Sequence, residues 1–204
     1  VLNVQDQFYA TGSNIVVKGG SYKNFNPANN KSEGAGTNFV AEGYFTTLVG
    51  DYYVVSDAQV VANAEELTAA VQNGAKNVYL ADGTYTLASY PAGLKLVGCG
   101  NNVVFDATDK KYGVHGDVTI ENVEVRFAND NYTGFQHTNV ESYKNCTIVG
   151  QPFLYGNDVT FEGCTFEQTS ASAYNVWTYG AKEVEFVNCV FNSAGKSVLI
   201  YTES

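Results

Sequence analysis

The stretch "FEGCTFEQ" (161–168) has two relatives in the chain, "YKNCTIVG" (143–150) and "FVNCVFNS" (186–193), each with a cysteine in the same apolar, polar, apolar setting. Read from two residues upstream, they become "VTFEGCTF" (159–166), "ESYKNCTI" (141–148) and "VEFVNCVF" (184–191). "VTIENVEV" (118–125) joins them, with Val123 in the cysteine's place. The first, third, sixth and eighth positions are mostly apolar, as in Val159, Phe161, Cys164 and Phe166. Two alternating pairs separated by two residues describe two short strands that meet at a bend. The bend holds Asn122, Asn145, Gly163 and Asn188, residue types that tolerate a left-handed backbone.

A second set of segments follows each bend: "GFQHTN" (134–139), "PFLYGN" (152–157), "VWTYGA" (176–181) and "VLIYTE" (198–203). One unit therefore makes a full circuit before it repeats. The aligned sixth positions, 123, 146, 164 and 189, are 23, 18 and 25 residues apart, a spacing that fits a solenoid of stacked coils. Strands rich in Val, Phe, Tyr and Thr, with no helical pattern between them, favour a parallel β-helix over a leucine-rich horseshoe. On this coil pattern the chain resembles the right-handed parallel β-helix family, which includes pectate lyases, phage tailspikes and many bacterial surface proteins. The resemblance covers about four fifths of the chain and implies an all-β, right-handed parallel β-helix solenoid with a short N-terminal capping helix per module.

Two earlier coils precede the cysteine series, "NVYLADGTYTL" (77–87) and "LKLVGCGNNVVF" (94–105). Ahead of them, "NAEELTAAVQNG" (63–74) predicts a helix capped by Asn63 and Glu66 and ended by Gly74, with Leu67, Ala70 and Val71 on one face. Such a helix is expected as a lid on the open end of the first coil, with Leu67 and Val71 buried. "IVVKGGSY" (15–22) fits the coil template, "NFNPANNKSEGAGTNFVAEGY" (24–44) reads as loop, and "YFTTLVGDYYVV" (44–55) reads as a hairpin turning at Gly50-Asp51. The expected organisation is thus the end of a preceding β-helix module over 1–56, with its loop and hairpin cap, and a second module over 57–204 with about six coils.

The chain has 204 residues, 45% of them hydrophobic and 14% aromatic, enough for one large domain or two small ones with a substantial core. Its net charge of −10, with a single arginine at Arg126, argues against nucleic acid or anionic lipid as partners. No apolar run approaches the ~20 residues of a bilayer span, and no membrane insertion is expected. "VLNVQDQFYA" at the start lacks the regions of a signal peptide, and the sequence contains no Met, so the chain reads as a processed or excised piece. Both ends read as truncations of a longer polypeptide or as surfaces covered by another subunit, since "SVLIYTE" (197–203) runs as a strand without a cap. Few Lys and Arg with abundant Gly, Asn, Thr and Tyr is a composition of extracellular, cell-surface or virion β-proteins.

The four cysteines contain no C-x-x-C pair and only two histidines accompany them, so neither a metal nor any other cofactor is expected. Cys146, Cys164 and Cys189 read instead as a buried, reduced column in which cysteine serves as a small hydrophobe. An enzyme of this family would need clustered acids on neighbouring coils with a basic or acidic catalyst. Asp82, Asp106, Asp109, Asp117, Asp130 and Asp158 fall mainly in turns and do not recur at one template position. Arg126 ends a strand without a matched acidic ladder, and "VHGD" (114–117) is similar to a hydrolase Gly-His-Gly only in outline. No catalytic residue is assigned.

Two aromatic columns remain. Phe135, Phe153, Trp177 and Leu199 are uniformly apolar and read as core, whereas His137, Tyr155, Tyr179 and Tyr201 lie at the turn, where they pack at a corner or face outward. An exposed ladder of His137, Tyr155, Trp177, Tyr179 and Tyr201 could stack on sugar rings or on a neighbouring subunit. The expected function is a non-enzymatic structural or adhesive module of a larger surface assembly, either a phage fibre or capsid-associated protein or a bacterial surface protein. Its partners would be other subunits, including further copies of itself, and glycans. "GGSYKNFNPANN" (19–30) followed by "GTNFVAEGY" (36–44) resembles module junctions in β-helical proteins of gut bacteria and their phages. The alternative is a carbohydrate-binding or polysaccharide-degrading β-helix.

Overall fold

The structure, a computed structural model, describes residues 2–88, 91–108, 118–129, 140–155, 158–196 and 198–201. It divides into two compact units, Val1–Gln59 with Asn73–Ala75 and Val60–Gln72 with Lys76–Ser204.

The larger unit is a parallel β-solenoid. Successive coils contribute strands to a seven-stranded sheet, from Ala58–Val61 to Val184–Val187, and to a six-stranded sheet, from Gly83–Tyr85 to Val190–Ser193. A three-stranded sheet orders Phe153–Tyr155, Trp177–Tyr179 and Leu199–Tyr201 side by side. The pairing is parallel and in the register set by the repeat, with Tyr143 beside Phe161 and Phe161 beside Phe186, and Ile148 beside Phe166 and Phe166 beside Phe191.

Each two-strand repeat turns where the sequence requires. Asn122, Asn145, Gly163 and Asn188 have φ of +56°, +50°, +64° and +52°, the left-handed region that lets the chain pivot without losing inter-coil hydrogen bonds. The pivot sends the third and eighth template positions into the core. Val78, Leu96, Ile120, Tyr143 and Phe161 form one fully buried column, and Tyr85, Phe105, Val125, Ile148 and Phe166 form another. Parallel register turns identical positions into stacked rings: Tyr143 lies over Phe161 at 5.0 Å and 7°, and Phe166 over Phe191 at 4.6 Å and 6°.

The sixth position forms the cysteine column. Thr147 N donates to Val123 O, Thr165 N to Cys146 O and Val190 N to Cys164 O, so these residues stand one above another. All four cysteines are free thiols; Cys146 and Cys164 are buried, Cys189 is half-buried, and Cys99, outside the column, is exposed. The Cys164 Sγ lies 3.4 Å from Tyr143 O and the Cys189 Sγ 3.3 Å from Phe161 O. The hydrogen bond between the two inner thiols pushes Cys146 well up and Cys164 down, while burial raises both. Burial chiefly raises Cys189 as well. Two neighbouring thiolates in an apolar column would be strongly disfavoured.

Replacing Cys164 with Ser should lower stability by ~1–3 kcal/mol, because the shorter C–O bond withdraws the hydroxyl from carbonyls already at sulfur distance and leaves it buried and poorly satisfied. A urea midpoint unchanged from wild type would refute the packing role. In the native protein a thiol reagent should modify Cys99 at once and leave Cys146 and Cys164 untouched until unfolding.

The capping helix spans Ala64–Gln72. Glu66 N donates to Asn63 Oδ1 at 2.9 Å and the Glu66 carboxylate accepts from Ala62 N at 2.8 Å, a capping box shifted by one residue. Gly74, at φ +87°, follows its end. Leu67 and Ala70 are buried and the helix packs on the Gly83–Tyr85 strand; Val71, expected inside, is half-buried, since Ala70 takes the centre of the inward face.

The smaller unit holds a three-stranded antiparallel sheet. Phe45–Val49 and Tyr52–Ser56 form the hairpin around Gly50-Asp51, and Gly20–Lys23 adds to the other side of Tyr52–Ser56. The coil strand read into "IVVKGGSY" is therefore an antiparallel strand, with Gly20 beside Val55 and Tyr22 beside Tyr53. The template match there is a period-two alternation, which parallel and antiparallel strands share. Val17, Phe39 and Val55 make this unit's core, with Ile15, Tyr22 and Tyr44 packed against it.

Candidate functional site

In the Trp177–Tyr179 strand the alternation places Thr178 inward, fully buried in register between Leu154 and Ile200. Trp177 and Tyr179 consequently share the outer face, each half-buried. This corrects the reading of Trp177 as core, although Phe153, its neighbour in the same column, is buried. The Trp177 ring packs edge-on against Phe153 and against Tyr174, both with centroids at 5.6 Å. Lys196 Nζ sits 5.2 Å from the Tyr174 ring centre, a cation–π contact that extends the patch. Tyr155 and Tyr201 stand in register on either side of Tyr179, and Leu199 beside Trp177. Phe135 and His137, the remaining members of the two columns, lie outside the described residues, as do Asp109, Asp117, Asp130 and His115.

What holds this surface is a cluster of buried amides. Gln151 Oε1 accepts from Tyr174 N at 2.6 Å, Gln168 Nε2 donates to Tyr174 O at 3.3 Å and to Asn129 Oδ1 at 2.9 Å, and Asn175 Nδ2 donates to Lys196 O at 2.7 Å. Gln151, Gln168 and Asn175 are all buried. They hold the backbone of the Tyr174–Trp177 corner from inside, and with it the half-buried rings, while Asn175 Oδ1 and the Trp177 indole nitrogen are buried without a hydrogen-bond partner. Gln168 was legible in principle, because Cys164, Phe166 and Gln168 alternate and the third must also point inward. Gln151 and Asn175 carry no such signal.

Of the six acids considered for catalysis, the three among the described residues have structural partners. Asp82 Oδ1 accepts from Asn102 N at 2.8 Å, Asp106 Oδ1 from the Thr108 N–H and hydroxyl, and Asp158 Oδ1 from Lys182 N and Glu183 N at 2.7 and 2.9 Å. The last two donors hold the Asp158 carboxyl below its ordinary pKa. Each acid thus closes a turn or bridges coils. Arg126 is ion-paired with Glu124, two residues away, at the edge of a shallow polar groove of about 490 Å³ that also includes Asn101, Asn122 and Asn145. Asn145 is at the bend, with its amide 3.4 Å from Asn122 Oδ1.

Among the described residues no three His, Cys, Asp or Glu side chains are grouped to hold a metal ion, and no helix is long and apolar enough to cross a membrane. No protein-family model, curated protein or solved structure matches the chain.

Proposed function

We infer that the chain is a structural and adhesive module of a larger extracellular or virion assembly, such as a phage fibre, a capsid-associated protein or a bacterial surface protein. The observation that carries this reading is the half-buried aromatic cluster of Tyr174, Trp177 and Tyr179, fixed to a solenoid by buried amides. A surface that contacts a partner gains most from large rings whose side-chain entropy is already spent, and these rings are held before any partner arrives. The acidic composition, with its single arginine, is consistent with solvent-facing display. A second reading, carbohydrate binding, uses the same rings: the C–H face of a pyranose stacks on the accessible face of a Trp or Tyr ring.

Binding of the wild-type chain and of Trp177→Ala and Tyr179→Ala to a glycan array and to intact cells tests the reading. Loss of Trp177 should weaken binding by about 2 kcal/mol, roughly thirtyfold, while the melting transition of the cysteine-column coils persists. Wild-type chain that binds neither glycans nor cells, or binding indifferent to both substitutions, would overturn it. Retention of cell binding with no array glycan recognised would leave a protein receptor and remove the carbohydrate reading.

A further inference from the structure

The smaller unit carries a polar pocket of about 550 Å³, and every residue that lines it belongs to that unit. Its volume falls within the roughly 300–1,000 Å³ of small-molecule sites. Asn26, Asn38, Glu42, Tyr44, Phe45 and Thr46 give it its chemistry. Asn26 Oδ1 accepts from Ala28 N at 2.9 Å and Asn38 Oδ1 from Val40 N at 2.8 Å, so each amide turns its oxygen towards its own backbone. The two NH2 groups are left as donors, and neither has a partner among the described residues. The Glu42 side chain is exposed and supplies acceptors. Tyr44 and Phe45 are half-buried, and the Thr46 hydroxyl is buried with no hydrogen-bond partner. No Lys or Arg lines the pocket. The frame is set before any ligand arrives. Asn30 Nδ2 donates to Asn26 O, Pro27 O and Thr37 O at 3.2, 3.3 and 3.0 Å. Phe39 N donates to Pro27 O at 2.9 Å, Val17 N to Phe39 O and Ala41 N to Val17 O, while Val17 and Phe39 are buried core. Asn26 and Asn38 therefore hang from backbone that is already paired and packed, and little ordering remains for binding to impose.

We propose that this pocket binds a neutral pyranose. A sugar hydroxyl both donates and accepts, so neighbouring hydroxyls can accept from an Asn NH2 and donate to Glu42 at the same time. The C–H face of the ring matches the apolar surface of Tyr44 and Phe45. Acidic sugars and phosphates are disfavoured, because the charge in the lining is that of Glu42 and the chain as a whole carries −10. A purely apolar ligand would cover both NH2 groups and leave them unpaired, at a cost that a polyol avoids. The site shares no residue with the Trp177 cluster and does not rest on the adhesive reading.

Ligand-observed NMR titration of the 204-residue chain with the methyl glycosides of glucose, galactose, mannose and N-acetylglucosamine, and with glucuronic acid as the charged control, decides the matter. At least one neutral glycoside is expected to bind, and glucuronic acid is expected not to. Asn26→Asp and Asn38→Asp keep the oxygen that bonds the backbone and lose the donor. Each should weaken the bound glycoside about tenfold while the thermal transition stays where it is. Glu42→Ala should weaken it by a similar factor, and Trp177→Ala should leave it unchanged. The proposal is overturned if no neutral glycoside binds, if glucuronic acid binds as well as they do, or if binding is indifferent to Asn26→Asp, Asn38→Asp and Glu42→Ala. Binding lost with Trp177→Ala alone puts the sugar on the aromatic cluster and overturns it too. If either Asp variant lowers the thermal transition, Glu42→Ala, at an exposed position, decides.

Discussion

Phe161→Ala should lower the stability of the solenoid by ~3–5 kcal/mol, among the largest effects of any side-chain truncation in this chain. The ring is fully buried and has neighbours on both faces and one edge: Tyr143 at 5.0 Å and 7°, Phe186 at 5.4 Å and 9°, and Phe166 edge-on at 5.1 Å and 66°. Its removal therefore opens a void that spans three coils. The stack resists closing that void, because inter-coil spacing is set by backbone hydrogen bonds such as Thr165 N to Cys146 O at 2.9 Å. In a solenoid each coil is stabilised by its two neighbours, so the loss should appear as uncoupling of the Val184–Ser193 coil as well as a lower urea midpoint. Hydrogen exchange at Val190, whose amide bonds to Cys164 O, reports that uncoupling directly. Ile120→Val, a smaller truncation in the same column, should cost only ~0.5–1.5 kcal/mol. A Phe161→Ala loss no greater than that of Ile120→Val would mean that the ring column contributes nothing beyond area, and the account of coil coupling through it would fail.

The same column explains what could be read in the residues and what could not. The two-strand repeat was legible because two independent constraints coincide at each unit: an apolar 1, 3, 6, 8 pattern and an Asn or Gly at the one place that needs positive φ. Neither constraint alone suffices. "IVVKGGSY" satisfies the first and has glycines at φ of +157° and +108°, but Gly20–Lys23 joins an antiparallel sheet, because alternation describes faces and is silent on the direction of the neighbour. The aromatic site was half legible for a related reason. Alternation in "VWTYGA" puts Trp177 and Tyr179 together and Thr178 opposite, but it does not say which face is inside. Hydrophobicity favours the rings; the structure buries the threonine. The amides of Gln151, 23 residues away, and Gln168, six residues away, hold the backbone at Tyr174 and bear on the entry of the strand. The acids show the complementary case. Asp158 reaches Lys182 N and Glu183 N one coil away, and that partnership has no local sequence mark.

Gly150→Ala should be more damaging than its single added carbon suggests, with a loss of at least ~3 kcal/mol and failure of adjacent coils to pair. A Cβ at Gly150 would lie 2.0 Å from Phe127 O and 2.8 Å from Phe127 C, both backbone atoms of the coil below. No rotamer relieves such a contact, so the two coils must separate. They are tied together at this point, since Phe127 N donates to Val149 O at 2.8 Å and Gly150 N donates to Glu167 O of the coil above at 3.2 Å. Separation therefore costs hydrogen bonds on both sides of the glycine. Its φ of +86° adds the left-handed strain of any L-residue, ~1–2 kcal/mol. Gly93→Ala isolates that second part: Gly93 has φ +73° in the same unit, and a methyl group there would meet nothing within 4 Å. The difference between the two variants is the steric part, the distance of closest approach between coils. Comparable urea midpoints for Gly150→Ala and Gly93→Ala would show that the coils can move apart at little cost. They would also undercut the view of this solenoid as a rigid support for the rings at Trp177 and Tyr179.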